Sequence, residues 1–181
     1  CLRLVCSVWL LDCQHTATSP LSPLARLRSR AGHARVDMIL GTGRRGDGAG
    51  AQFFRHRELC RMEGARPVFA DVQSPTQKID PASVERMVTP QTKAVICVHL
   101  AGWPCEMATL GAICDRHDLF LIEDCAQAHG AAINGRKVGT FGDAASFSFC
   151  TDKIMSTGGE CGMLVLLEDA EISRAAWRER V

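Results

Sequence analysis

The chain has 181 residues, 46% of them hydrophobic and 23% charged. Its 21 basic and 20 acidic side chains leave a formal net charge of +1. This balance argues against a nucleic-acid binder or a polybasic membrane-surface protein, because both need an excess of Lys and Arg. No window approaches the roughly 20 apolar residues that a membrane-spanning helix needs. The composition predicts one domain, or part of a larger one, with a real apolar core.

The ten cysteines show no metal-binding pattern, since no pair has the C-x-x-C spacing. Several lie inside apolar runs, such as Cys97 in AVICVHL, and we interpret them as buried free thiols. A disulfide scaffold belongs to short secreted domains and is not expected here. The chain begins at Cys1 and stops in mid-pattern at WRERV, which is typical of a fragment.

The sequence changes character near residue 62. Residues 1–62 are rich in Arg and Gly and show neither sustained alternation nor a long amphipathic stripe. We therefore expect an aberrant or poorly ordered segment over 1–62, followed by a structured part over 63–181.

From residue 63 onward, apolar runs typical of buried parallel strands alternate with helical patterns. Asp80 is a plausible N-cap for a helix that begins at Pro81. This alternation predicts βαβ units and an α/β fold with a mostly parallel sheet. In chain order we predict strand 67–72, helix 80–88, strand 93–100, helix 104–117, strands 119–125, 144–149 and 162–167, and a charged helix over 168–180.

Polar residues follow these apolar strands at the carboxyl end, where parallel sheets collect functional groups. His99 follows AVICV, Glu123 and Asp124 follow LFLI, and Ser148 lies just before Lys153. The sequence therefore predicts a functional site at this edge of the sheet.

Asp124 and Lys153 each allow two interpretations. Asp124 is either an N-cap for a helix starting at AQAHG or a carboxylate that holds a cationic ring nitrogen of a cofactor. Lys153 is either a solvated loop lysine or a partly desolvated amine that forms a Schiff base. A pyridoxal phosphate (PLP) site combines such a lysine with an acidic partner for the pyridine nitrogen, and Ser148 could hydrogen-bond its phosphate.

Three blocks between residues 64 and 169 carry a family resemblance: GARPVFADV, TKAVICVHLAGWPCEM and LFLIEDCAQAHGAAINGRKVGTFGDAASFSFCTDKIMSTGGECGMLV. In them the sequence resembles the DegT/DnrJ/EryC1/StrS family of PLP-dependent sugar aminotransferases. The resemblance implies part of the large domain of a fold-type I PLP-dependent transferase, which is a three-layer sandwich around a mostly parallel sheet.

The resemblance also implies roles for individual residues. Asp124 would pair with the pyridinium nitrogen, Gln127 would contact the phenolic-oxygen side of the ring, and Ser148 would bind the phosphate. Lys153 would form the Schiff base and then act as general base and acid, and its presence favours the transaminating branch over the family's dehydratases, which have His there. His129 would support the site rather than catalyse.

For the intact family, the resemblance implies a cytoplasmic homodimer that transfers an amino group from a donor such as glutamate to a nucleotide-linked keto-sugar in polysaccharide biosynthesis. A dimer is not expected of this fragment.

An inactive remnant is the alternative, because Cys161 stands where Gly is expected and neither a Ser-Gly-Thr phosphate loop nor a stacking aromatic is found in 1–62. A regulatory protein on the same fold is a weaker alternative, since no DNA-binding pattern is present. His99 is interpreted as a satisfied buried histidine.

Residues 43–62 suggest a frameshift. Read one base later as degenerate codons, GRRGDGAGAQFFRHRELCRM can encode GDEVMVPAHSSFAIASCVVW, which resembles the family's GDEV-x-VPA segment. On this hypothesis the isolated chain binds PLP weakly or not at all.

Overall fold

A computed structural model describes residues 36–41, 60, 65–159 and 161–166 of the chain. Within these residues two α-helices and a short 3-10 turn at Leu100–Gly102 accompany eight β-strands. The helices are α1 (Pro81–Met87) and α2 (Met107–His117). The strands are β1 (Val36–Gly41), β2 (Ala65–Ala70), β3 (Thr92–Val98), β4 (Phe120–Asp124), β5 (Ala132–Ile133), β6 (Arg136–Lys137), β7 (Ala144–Ser148) and β8 (Gly162–Leu166).

Six of these strands form one sheet in the order β2-β1-β3-β4-β7-β8. All neighbouring pairs are parallel except β7 and β8, which run antiparallel. The predicted α/β fold with a mostly parallel sheet is therefore confirmed. No helix in the described part of the chain is both long and apolar enough to cross a bilayer.

Most of the predicted elements are present, with shifted ends. The β2 strand begins at Ala65 rather than at residue 67, and α2 begins at Met107 rather than at residue 104. The β1 strand and the β5–β6 hairpin were not predicted. The predicted helix over 168–180 lies outside the described residues, as does most of the 1–62 segment.

The ends of the two helices follow from local chemistry. Asp80 accepts a hydrogen bond from the Ala82 amide at 3.1 Å, and Pro81 occupies the first turn, as the sequence predicts. At the C-terminal end of α2, Asp118 takes a left-handed conformation with φ of 52°, and the Leu119 amide donates to the Cys114 carbonyl at 2.9 Å. This closure turns the chain directly into β4.

Both helices pack on one side of the sheet, which we call the helix side. Val95 and Leu121 point to this side and form a buried cluster with Val84 of α1 and Leu110 of α2. Because side chains alternate along a strand, Glu123 shares this side with Leu121.

The other side of the sheet, which we call the far side, carries a second buried cluster. Ala94 and Ile96 pack there against Cys60, and Ile122 lies against the same cluster. Asp124 follows Ile122 by two residues and so points to the far side. The strand alternation thus sends the consecutive carboxylates of Glu123 and Asp124 to opposite sides.

Candidate active site

Asp124 lies at the carboxyl end of β4, in the middle of the sheet, and is 7% exposed. Its Oδ1 accepts a hydrogen bond from the Ala126 amide at 2.9 Å. Residues 125–130 form turns rather than a helix. The interpretation of Asp124 as a helix N-cap is therefore wrong, and the carboxylate instead closes a tight turn at the sheet edge.

Ser148 shares the far side of the sheet with Asp124. Asp124 pairs in register with Ser146 of β7, and Ser148 lies two residues farther along the same strand. The Ser148 hydroxyl donates to the Cys150 sulfur at 3.0 Å. The structure thus brings a carboxylate and a hydroxyl to one side of the sheet at the neighbouring ends of β4 and β7.

Lys153 lies in the turn that leaves β7. Its amide donates to the Cys150 carbonyl at 3.1 Å, so the turn closes immediately beyond the strand. The side chain is 19% exposed, and Nζ donates to Asp152 Oδ2 at 3.2 Å. Since the Asp152 side chain is 73% exposed, this contact is an ordinary surface ion pair that does not tie the amine down.

Gln127 is held by the loop that follows β3. Its Oε1 accepts a hydrogen bond from the Ala101 amide at 2.8 Å, and Ala101 has a left-handed backbone with φ of 52°. Because this bond occupies the amide oxygen, the Nε2 group is left as the donor end of the side chain.

His129 packs among aromatic rings. Its ring centroid lies 5.6 Å from that of Phe147 and 5.3 Å from that of Phe149. Within the described residues both ring nitrogens are buried and have no hydrogen-bond partner. These contacts favour the expected supporting role over proton transfer.

The sequence did not reveal that Glu123 is the centre of a buried hydrogen-bond network. Its Oε2 lies 2.9 Å from His99 Nε2 and accepts from the Gly139 amide at 2.8 Å. Its Oε1 accepts from the amides of Phe141 and Gly142 at 2.7 and 2.8 Å. Both Glu123 and His99 are 0% exposed. The only sequence signal was a charged residue directly beside an apolar strand.

The hydrogen bonds of His99 define its protonation. The Cys105 amide donates to Nδ1 at 3.1 Å, which requires a lone pair on that nitrogen. The ring proton therefore lies on Nε2 and is donated to Glu123. Both ring nitrogens have partners, so the prediction of a satisfied buried histidine is confirmed.

Glu123 is held as an anion. Burial raises the pKa of its carboxyl, but the hydrogen bonds from His99 and from the Gly142, Gly139 and Phe141 amides outweigh burial and leave the pKa below its usual value. His99, Glu123 and Cys125 offer ligand atoms within 4.8 Å of one another. Because hydrogen bonds already use both Glu123 oxygens and both His99 nitrogens, these three residues do not make a metal centre.

The buried thiols behave as predicted in the described part of the chain. Seven cysteines are free there, and all of them except Cys150 are buried. Burial raises the pKa of Cys60 and Cys114 to about 12, although a backbone hydrogen bond opposes this at Cys60. Cys60 and Cys114 are therefore packing residues rather than nucleophiles.

This fold, with polar groups at the carboxyl edge of a mostly parallel sheet, is of the class that binds cofactors at strand ends. Residues 51–178 match the family model described as the DegT/DnrJ/EryC1/StrS aminotransferase family, and the chain belongs to that family.

Curated relatives and solved structures agree with this assignment. The chain is 46% identical over 111 residues to GDP-perosamine synthase from Vibrio cholerae, covering 61% of this chain and 30% of that protein. It is 48% identical over 117 residues to dTDP-3-amino-3,4,6-trideoxy-alpha-D-glucose transaminase from Micromonospora megalomicea subsp. nigra, covering 65% and 31%. The X-ray structure of an aminotransferase from Psychrobacter cryohalolentis matches with a TM-score of 0.72 at 41% identity, covering 85% of this chain and 37% of that one. The chain thus spans about a third of the length of the curated relatives that it matches.

Proposed function

We propose that this chain is part of the large domain of a PLP-dependent nucleotide-sugar aminotransferase. The observation that carries the proposal is the placement of Asp124 and Ser148 on one side of the sheet at adjacent strand ends, with the Lys153 amine in the turn directly after them. A carboxylate, a hydroxyl and a primary amine are the groups that PLP needs for its ring nitrogen, its phosphate and its aldehyde. The residues present therefore fit this cofactor.

Each proposed residue has one task. Asp124, nearly buried, would accept the ring N–H and keep that nitrogen protonated, since a desolvated carboxylate favours a cationic partner. The Ser148 hydroxyl would donate to the phosphate. Gln127 would donate from Nε2 to the phenolic oxygen, because Ala101 already occupies its Oε1. Bound PLP supplies an electron sink for bond cleavage at the carbon that carries the amino group.

Lys153 would act as the general base and acid, taking up a proton at Nζ and returning it. Its Nζ is mostly shielded from solvent, and its one described ion pair is with an exposed carboxylate. An amine in such a position can give up a proton at Nζ and return it to a neighbouring carbon.

The substrates are proposed from the relatives. Those matched at 44–48% identity include enzymes named for GDP-, UDP- and dTDP-linked sugars, so we propose a nucleotide-linked keto-sugar as the acceptor and an amino acid such as glutamate as the donor. The corresponding whole protein would act as a cytoplasmic homodimer in polysaccharide biosynthesis.

An inactive remnant is the second candidate. Cys161 favours it, because a side chain stands at the start of β8 where the family pattern has glycine. The thiol is buried, and the Cys161 carbonyl accepts from the Phe149 amide at 2.8 Å, so the strand pairing beside the Lys153 turn accommodates the substitution.

Trapping of PLP on lysine separates the two candidates. The full chain is mixed with PLP and reduced with borohydride, and the labelled peptides are quantified by mass spectrometry. An aminotransferase site predicts label concentrated on Lys153, and loss of the absorbance of the PLP–lysine Schiff base in Lys153→Ala. The matched control is Lys137→Ala, because Lys137 is exposed and its Nζ donates to the Gly130 carbonyl at 2.9 Å. Label spread evenly over Lys78, Lys93, Lys137 and Lys153 would overturn the proposal.

A further inference from the structure

We infer that Glu123 and His99 form a positioning pair that sets the place of Asp124 at the cofactor edge and of the 139–142 loop that leads into β7. This inference rests on the proposed function for its catalytic meaning. It assigns a task to two residues whose side chains hydrogen-bond to each other, to the Cys105 amide and to the 139–142 loop, so they act through their neighbours.

The pair joins three separate segments. Glu123 belongs to β4, His99 follows β3, and the 139–142 loop precedes β7. Three loop amides donate to the Glu123 carboxylate, and the His99 ring donates to it from another direction. One carboxylate therefore joins the carboxyl ends of β3 and β4 to the loop that enters the amino end of β7.

Backbone contacts connect the pair to Asp124. The His99 amide donates to the Asp124 carbonyl at 3.0 Å, so the residue whose ring holds Glu123 also holds the next residue of β4. Glu123 and Asp124 are adjacent on a strand with alternating sides, so movement of one displaces the other. The loop after His99 also supplies the Ala101 amide that orients Gln127.

The hydrogen bonds converge on Glu123. The Cys105 amide donates to His99 Nδ1, His99 Nε2–H donates to Glu123, and Glu123 accepts from the loop. Replacing the carboxylate by an amide turns one of its two oxygens into an N–H donor. In one orientation this donor faces His99 Nε2 and the Gly139 amide, and in the other it faces the Phe141 and Gly142 amides. The network therefore predicts that Glu123→Gln leaves amides of the 139–142 loop without an acceptor in either orientation.

Two substitutions at His99 separate its two bonds. In His99→Gln the side-chain amide can reach the position of Nε2 and still donate to Glu123, but nothing accepts from Cys105. In His99→Asn the side-chain oxygen can replace Nδ1 and accept from Cys105, but the bond to Glu123 is lost. The carboxylate-to-amide control is Glu85→Gln, a half-buried residue of α1 that pairs with Arg116 and His117.

Residue-resolved amide hydrogen exchange on the full chain tests the positioning. We expect Glu123→Gln to speed exchange at least tenfold either at Gly139 or at both Phe141 and Gly142. We expect His99→Gln to speed exchange at Cys105 alone, and His99→Asn to leave Cys105 protected. A uniform rise that includes core strands such as β3, or unchanged exchange at all three loop amides in Glu123→Gln, would refute the inference.

The affinity for PLP, measured by titrating the same variants, tests the link to the site. Glu123→Gln and His99→Asn should weaken PLP binding at least tenfold relative to Glu85→Gln, with His99→Gln between them and the unmodified chain. Equal affinity in Glu123→Gln and Glu85→Gln would refute a role toward the cofactor. If the unmodified chain carries no label on Lys153, the proposed function fails, and the exchange pattern alone decides whether the pair positions Asp124. If Glu123→Gln does not fold, the two His99 variants supply the comparison.

Discussion

Gly142 lies where the chain passes closest to β4, and its substitution by alanine is expected to be strongly destabilising. A Cβ at this position would lie 2.4 Å from the Leu121 carbonyl oxygen and 3.0 Å from its carbonyl carbon. These atoms belong to the central strand, so the conflict cannot be relieved by rotating a side chain. The Gly142 amide also donates to Glu123, and a backbone shift that relieves the conflict lengthens that bond.

Two effects add up in Gly142→Ala. Overpacking a dense interior costs about 1–3 kcal/mol. Weakening a buried hydrogen bond to a charged acceptor costs about 1.5–3 kcal/mol more. The free energy of unfolding should therefore fall by about 2.5–6 kcal/mol, which is a large share of the roughly 5–15 kcal/mol of a typical domain.

Urea denaturation of the full chain, followed by circular dichroism, measures this loss. Gly111→Ala is the matched control, because Gly111 lies within α2 and its added Cβ meets nothing within 4 Å. That substitution should raise stability by about 0.5–1 kcal/mol through its helix propensity. A loss below about 1 kcal/mol in Gly142→Ala would show that the close approach to β4 yields easily and that the reasoning is wrong.

Three further predictions concern other parts of the chain. The folded-state pKa of Glu123 lies below its unfolded value, so the stabilisation by this carboxylate is complete above the ordinary Glu pKa of about 4.3 and is lost as the pH falls through the lower folded value. Between pH 3 and 6, the urea midpoint should therefore fall more steeply for the unmodified chain than for Glu123→Gln. Parallel curves for the two proteins would contradict this. With a pKa of about 12, the thiol of Cys114 is ionised to roughly one part in ten thousand at pH 8. Iodoacetamide should therefore label Cys150 well before Cys114, as measured by peptide mapping. Equal labelling rates would show that the helix side of the sheet opens. Nucleotide sequencing should reveal an insertion or deletion near codon 62, whereas an intact frame that encodes residues 43–62 as written would exclude a frameshift.

The elements predicted correctly are those with a strong local pattern. The β3 strand is a continuous run of apolar residues, and α1 has both a capping Asp80 and Pro81 in its first turn. The β1 strand was missed because VDMILG is short and lies among Arg- and Gly-rich residues. The β5–β6 hairpin was missed although Asn134 and Gly135 are a strong turn signal, and both have positive φ, at 50° and 82°. Its strands are only two residues each, too short for alternation to be visible.

The candidate site was predicted unevenly. Asp124, Ser148 and Lys153 were identified from their positions after apolar strands, and their roles remain predictions. Glu123 was identified only as one of the polar residues at the end of a strand, because a charged residue in that position does not reveal its partners. Those partners are backbone amides 16 to 19 residues later, and backbone amides leave no mark in a sequence. Only the folded loop shows that they converge on one carboxylate.

The pleat of β4 sends the two consecutive acids at its end to opposite sides of the sheet. Glu123 faces the buried helix side and holds the neighbouring chain segments, and Asp124 faces the far side, where the proposed ligand lies. Insertion or deletion of a single residue between Phe120 and Glu123 would exchange their directions and present the longer acid to the ligand. A change in the length of this strand would therefore disrupt the site, and its length is as much a part of the site as its side chains.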